Sequence, residues 1–176
     1  PAGTPREVIA AHHPHDVVLA LAKAEAARAA GAWVAGYVAY EAGYALEPRL
    51  ARLMPRRRSG PLVALGIYDA PGDAAPALAR AAEAGRTTVM TEPRPLIGRR
   101  AYGNAARKAL GYVAAGDCYQ VNLTFPMAAR LVHGSALGLY GAFRRTGAVG
   151  HGAYVDLGVG PVVVSRSPEL FFQVTA

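Results

Sequence analysis

Cysteine is nearly absent: Cys118 stands alone among 176 residues. A single thiol excludes an intrachain disulfide framework and any multi-cysteine metal site. Lysine is almost as scarce, since only Lys23 and Lys108 among the 19 basic residues are not arginine. Long apolar runs are missing as well. No uninterrupted stretch approaches the roughly 20 residues that a membrane span needs. The opening Pro1-Ala2-Gly3-Thr4-Pro5-Arg6-Glu7 lacks the charged-then-apolar layout of a secretory signal. The expected compartment is therefore the cytoplasm, with no membrane partner. There is no glycine-rich nucleotide loop and no helical His-Glu-x-x-His pair, and Gly158-Val159-Gly160 before Pro161 reads as a turn. Ser165 and Ser167 have no base beside them in sequence, so a hydrolase triad is not expected.

What is present argues for a globular chain. Apolar residues make up 52% and aromatic residues 8%, too many for a disordered segment. The length suits one domain or a small pair, with room for a real core. The formal net charge is +7. The arginines are scattered, however, and the one dense run, Arg56-Arg57-Arg58, sits in a Pro/Ser/Gly setting that reads as a solvated loop. Nucleic acid is therefore not the expected partner. A positive field also raises the local concentration of a small anionic substrate. His12-His13-Pro14-His15 has no accompanying cysteine or further spaced histidine and reads as an exposed loop rather than a metal site.

The periodicity predicts alternating helices and strands. Residues 1–13 read as irregular. A helix follows, N-capped by Asp16, with Val17, Val18, Leu21 and Ala24 on its apolar face and Gly31 at its end. Trp33 to Tyr40 reads as a buried strand and Tyr44 to Leu53 as a helix. Pro61 to Ala70 is apolar on both faces, which predicts a central strand. Asp73 to Gly85 reads as an Ala-rich helix and Thr87 to Thr91 as an edge strand. Glu92-Pro93-Arg94-Pro95 breaks the pattern and divides an amino-terminal region, 1–95, from a second region, 96–176. Ser135 caps a helix over Ala136 to Arg145, with Leu137, Leu139, Tyr140 and Phe143 on its buried face. Ala153 to Leu157 and Pro161 to Arg166 read as paired strands, and Leu170 to Val174 starts a third. The mixture fits an α+β class.

One stretch organises the second region. Tyr102 to Ala115 is rich in Ala, Leu and Lys, and Gly116 supplies the left-handed residue that ends such a helix. After Asp117 the period changes to two. Tyr119, Val121, Leu123 and Phe125 alternate with Cys118, Gln120, Asn122 and Thr124, which predicts a half-buried strand. Its polar face must meet water, a polar network or a ligand.

Gly116-Asp117-Cys118-Tyr119-Gln120-Val121-Asn122-Leu123, followed later by Ser167-Pro168-Glu169-Leu170-Phe171, resembles the chorismate-utilising enzymes. These include anthranilate synthase component I, aminodeoxychorismate synthase component I and the isochorismate enzymes. The earlier run Gly36-Tyr37-Val38-Ala39-Tyr40-Glu41-Ala42-Gly43-Tyr44-Ala45-Leu46-Glu47-Pro48 is similar to the aminodeoxychorismate (para-aminobenzoate) branch. The resemblance implies an incomplete part of a two-sheet α+β fold with flanking helices, residues 96–176 being the start of the chorismate-binding domain. It implies chorismate as substrate, folate biosynthesis as the setting and a glutamine amidotransferase as the ammonia-supplying partner.

The same resemblance implies roles for particular residues. Glu169 matches the active-site glutamate implicated in acid–base work on the ring substituents; read without it, Glu169 is a turn glutamate pairing with Arg166. A carboxylate held in a partly desolvated site becomes an acid near neutrality. Ser167, Gln120 and Asn122 are candidate substrate contacts, although the two amides serve equally well to satisfy each other or the backbone. Tyr119 and Gly150-His151-Gly152 match an aromatic effector pocket, with Tyr119 as a core residue the alternative. In the family, Mg2+ ties the ring carboxylate to the protein and helps the 4-hydroxyl leave. Its ligands, and the lysine nucleophile in a Pro-Ile-Lys-Gly-Thr-like motif, are expected beyond Ala176. The chain is thus expected to be an amino-terminal portion, inactive by itself. A non-catalytic binding or assembly module on the same scaffold is the alternative of another class.

Overall fold

The computed structural model describes residues 3–147 and 149–175. From the amino end, strand β1 (Glu7–Ala11), helix α1 (Val17–Ala29) and strand β2 (Trp33–Val38) lead to helix α2 (Ala42–Leu46) and strand β3 (Val63–Tyr68). Helix α3 (Ala75–Gly85) precedes the two-residue strands β4 (Val89–Met90) and β5 (Arg94–Pro95), then helix α4 (Arg99–Ala115). Strands β6 (Met127–Ala128) and β7 (Leu131–His133), helix α5 (Ala136–Arg145) and strands β8 (His151–Val155) and β9 (Val163–Ser167) follow. The class is α+β, as the periodicity predicts. Two compact units result: Pro1–Thr87 with Ser135–Ala176, and Thr88–Gly134.

In the first unit β3 is the centre of an antiparallel sheet in the order β1-β3-β2. A strand apolar on both faces needs cover on both, and Leu62, Val63, Ala64 and Ile67 are all buried. The β1 strand corrects the expectation of irregular chain over residues 1–13. Ile9 and Ala11, two apart and therefore on one face, are buried in register with Leu65 and Val63. Five residues are too few to announce their period, and the central strand supplies the pairing that makes them a strand. Helix α1 lays Val17, Ala20 and Ala24 against this sheet. Val18, expected on that face, is 60% exposed. Asp16 makes no capping hydrogen bond, because a 3-10 turn over Pro14–Asp16 leads straight into the helix.

Proline divides the helix expected over Tyr44 to Leu53. Helix α2 stops at Leu46, Glu47 is extended with φ −115° and ψ 107°, and a separate 3-10 turn spans Pro48–Leu53. The residue before proline is driven from the helical region by the ring. Farther on, the Asp73 carboxylate accepts the Ala75 N–H at 2.9 Å, and Ser135 Oγ accepts the Gly138 N–H at 3.0 Å, the expected N-cap of α5. Helices α3 and α5 cross at small residues, with Ala81, Gly85, Gly138 and Gly141 all buried. A Cβ on Gly85 would stand 2.7 Å from the Ala142 nitrogen, and one on Gly141 would run into the Ala81 carbonyl. Glycine is what lets these backbones approach.

The pair expected over Ala153–Leu157 and Pro161–Arg166 is the β8–β9 hairpin, with His151 opposite Ser167 and Val155 opposite Val163. The third strand expected over Leu170–Val174 is irregular chain, and Phe171 is 94% exposed. In the second unit β4 pairs with β7 and β5 with β6, both antiparallel. Helix α4 belongs to this unit, and Tyr102 on it meets Phe125 edge-on at 5.1 Å between ring centroids.

Candidate functional site

The stretch after α4 begins as its sequence predicts. Gly116 lies at φ +79°. The Asp117 N–H reaches back to the Tyr112 carbonyl at 3.0 Å and the Gly116 N–H to that of Val113 at 3.1 Å. This crossed pair of bonds is a Schellman cap, which satisfies carbonyls the helix leaves open and turns the chain away from its axis. Beyond the cap the expected strand does not form. Residues 118–126 are irregular, and burial fails to alternate: Leu123 and Cys118, from opposite expected faces, are half-buried, while Tyr119 is 94% exposed. Gln120 and Asn122 are exposed. Alternation supplies one face of a strand, but a strand exists through its hydrogen-bonded neighbour. Pairing starts only where Leu96 donates to the Pro126 carbonyl at 2.9 Å and β6 meets β5.

Ser167 closes β9, and its hydroxyl ties the next turn. It donates to the Glu169 carbonyl oxygen at 2.7 Å and accepts the Glu169 N–H at 3.3 Å. Pro168 between them fixes one dihedral, so the backbone at Glu169 is held although its carboxylate is exposed. Arg166 does not pair with Glu169; its Nη2 donates to the Gly147 carbonyl at 2.9 Å. The partly desolvated setting expected for Glu169 is thus not formed by the residues described. Ser167 and Glu169 belong to the first unit, and Tyr119, Gln120 and Asn122 to the second.

Of the residues matched to an effector pocket, Gly150 and His151 are exposed at the start of β8, and Gly152 lines a cavity of about 450 Å³. Tyr68, Leu78, Leu137, Tyr140 and Tyr154 share that cavity. Burial raises the pKa of the Tyr68 hydroxyl. Burial first, and then the Asp156 carboxylate, raises that of Tyr154. Both tyrosines were missed from sequence because each reads as a strand aromatic with no motif around it. The cavity is uncharged along most of its wall, suited to an apolar or aromatic body.

Among the described residues no group of three or more His, Cys, Asp or Glu side chains converges as a metal would require. No such cluster is thus in place for magnesium among the described residues. His13 and His15 stack on one another at 5.4 Å. Neither lysine is placed as a nucleophile: Lys23 pairs with Glu7, and Lys108 lies over the Tyr112 ring at 5.7 Å. No helix among the described residues is long and apolar enough to cross a membrane.

Comparison with known proteins gives a family and one relative. The chorismate binding enzyme family matches residues 4–176. Anthranilate synthase component 1 of Thermus thermophilus is 44% identical over 72 residues, covering 40% of this chain and 15% of that protein. No solved structure matches.

Proposed function

Because the chain belongs to the chorismate binding enzyme family, we propose that it is the amino-terminal portion of an aminodeoxychorismate synthase component I. The intact enzyme would aminate chorismate to 4-amino-4-deoxychorismate for folate biosynthesis, with ammonia from a glutamine amidotransferase. The observation that carries the branch is the run Gly36 to Pro48, with its Tyr40-Glu41-Ala42-Gly43-Tyr44 core. In this reading Glu169 is the acid–base residue, and the Ser167 turn holds its backbone in place. Its carboxylate acquires the desolvation that acid–base work requires only when further chain covers it. Ser167, Gln120 and Asn122 contact substrate, and the magnesium ligands lie outside residues 1–176. The chain alone does not turn over chorismate, since neither Lys23 nor Lys108 stands in the lysine motif.

The Thermus thermophilus match favours a second reading, anthranilate synthase component I. The coding sequence that follows Ala176 separates the two. A Pro-Ile-Lys-Gly-Thr-like motif supports aminodeoxychorismate synthase, and alanine in place of that lysine supports anthranilate synthase. An immediate stop codon overturns the enzyme reading for this chain and leaves the binding module.

A further inference from the structure

Within the first unit, helix α5 and the β8–β9 hairpin enclose a cavity of about 210 Å³, lined by Tyr140, Arg144, Gly147, Val149, Gly152 and Arg166. It holds none of Ser167, Glu169, Gln120 or Asn122, and a ligand here is independent of the reaction the intact enzyme performs. Two arginines reach the cavity from different elements. Arg144 stands one turn beyond Tyr140 on α5, its guanidinium over that ring at 5.8 Å from the centroid. Arg166 lies on β9 directly opposite Gly152, and residues so paired point to one face of the hairpin. Its Nη2 donates to the Gly147 carbonyl at 2.9 Å, which fixes the guanidinium at the cavity and leaves its other N–H groups to be answered. A Cβ on Gly152 would stand 3.2 Å from the Tyr140 hydroxyl, so that oxygen shares the face with Arg166.

These donors are open rather than sealed. Both arginines are exposed. The Tyr140 hydroxyl has no hydrogen-bond partner among the described residues, and it is not one of the side-chain atoms buried without a partner; it therefore meets solvent. Charge decides what the cavity takes. No aspartate or glutamate lines it, and the ion pairs among the described residues all lie elsewhere. Helix α5 ends at Arg145. Its carboxy terminus offsets the two guanidinium charges by only about half a charge, leaving a surplus of about one and a half. A phosphate group carries about −1.5 to −2 at neutral pH and matches that surplus. An amino acid does not, because its ammonium would meet the arginines with no carboxylate to receive it. Shape agrees, since the donors come from a helix on one side and a strand on the other, and a tetrahedral oxyanion presents acceptors in both directions. The volume lies below the roughly 300–1,000 Å³ of sites for drug-sized ligands, which limits the body attached to the group.

We propose that this cavity binds a phosphate group, with the Arg144 and Arg166 guanidiniums and the Tyr140 hydroxyl donating to its oxygens. The test is titration of the chain with inorganic phosphate at neutral pH and constant ionic strength, followed by nuclear magnetic resonance. Saturable binding in the millimolar range is expected for so small a ligand, with shifts at the amides of Gly147, Val149 and Gly152. Arg144→Gln, Arg166→Gln and Tyr140→Phe each weaken it about tenfold, the loss of a hydrogen bond to a charged group. Arg145→Gln removes the same charge from an exposed position outside the cavity and changes affinity by less than about twofold, as expected for a screened charge. Methyl phosphate tells the two sources of the group apart: tighter binding than inorganic phosphate assigns an ester, weaker binding the free ion, and either supports the site. Absence of saturable binding, or affinity unchanged in the arginine variants, overturns the site. So does an Arg145→Gln variant weakened as much as Arg144→Gln, which would reduce the effect to net charge. Benzoate binding more tightly than phosphate overturns the assignment to a phosphate group. Should Tyr140→Phe not fold, the arginine variants, at exposed positions, carry the test.

Discussion

Two glycines on one helix predict opposite outcomes for the same substitution. At both Gly111 and Gly116 an added Cβ meets nothing within 4 Å, so packing is removed from the comparison. Gly111 lies inside α4, where Gly→Ala stabilises by about 1 kcal/mol. Gly116 lies at φ +79°, and an alanine held there costs about 1–2 kcal/mol. The stiffer unfolded chain returns about 0.4–1 kcal/mol, so the net loss is about 1 kcal/mol. The two variants should thus differ by about 2 kcal/mol, roughly a thirtyfold difference in the local opening equilibrium. Amide hydrogen exchange over Leu110 to Asp117 reads that equilibrium directly. Gly111→Ala should slow exchange and Gly116→Ala should speed it. A Gly116→Ala variant as protected as Gly111→Ala would refute the left-handed cap, and with it the reason the chain turns into Tyr119–Asn122.

Further predictions concern packing, ionisation and chemistry. Gly141→Ala should lower stability by about 1–3 kcal/mol in urea unfolding, the cost of forcing a methyl into a closed contact, because that methyl runs into the Ala81 carbonyl. Burial raises the hydroxyl pKa values of Tyr37, Tyr68 and Tyr154 above the ordinary 10.0. The stability this represents is full below pH 10 and is lost as pH rises through the folded values. Alkaline difference absorption at 295 nm should accordingly show a late set of tyrosinates whose appearance tracks unfolding. In the intact enzyme, Glu169→Gln should cut kcat by about 10²–10⁴-fold with KM little changed, and a variant of normal kcat would remove Glu169 from the chemistry.

How much the sequence disclosed depended on whether an element carries its own reason to form. Helices α3, α4 and α5 announce themselves through local signals: an Ala-rich run for α3, Gly116 as the stop of α4 and Ser135 as the cap of α5. The central strand β3 was legible because its run is apolar on both faces. Strands that live by their partners were not. Tyr119–Phe125 alternates and Leu170–Val174 is mostly apolar, yet both lie irregular, with no strand paired to them among the described residues, whereas Glu7–Ala11 has little pattern and is a strand because β3 is beside it. The candidate site divides the same way. The Ser167–Glu169 turn is three residues long and readable, whereas the larger cavity beside Gly152 gathers residues from Ala35 to Leu157 that no spacing rule connects.

The most direct test is the product made by the intact enzyme from chorismate, ammonia and magnesium, separated by chromatography. The expected product is 4-amino-4-deoxychorismate, with none formed by residues 1–176 alone. Anthranilate as the product would contradict the branch assignment and establish the second reading in its place.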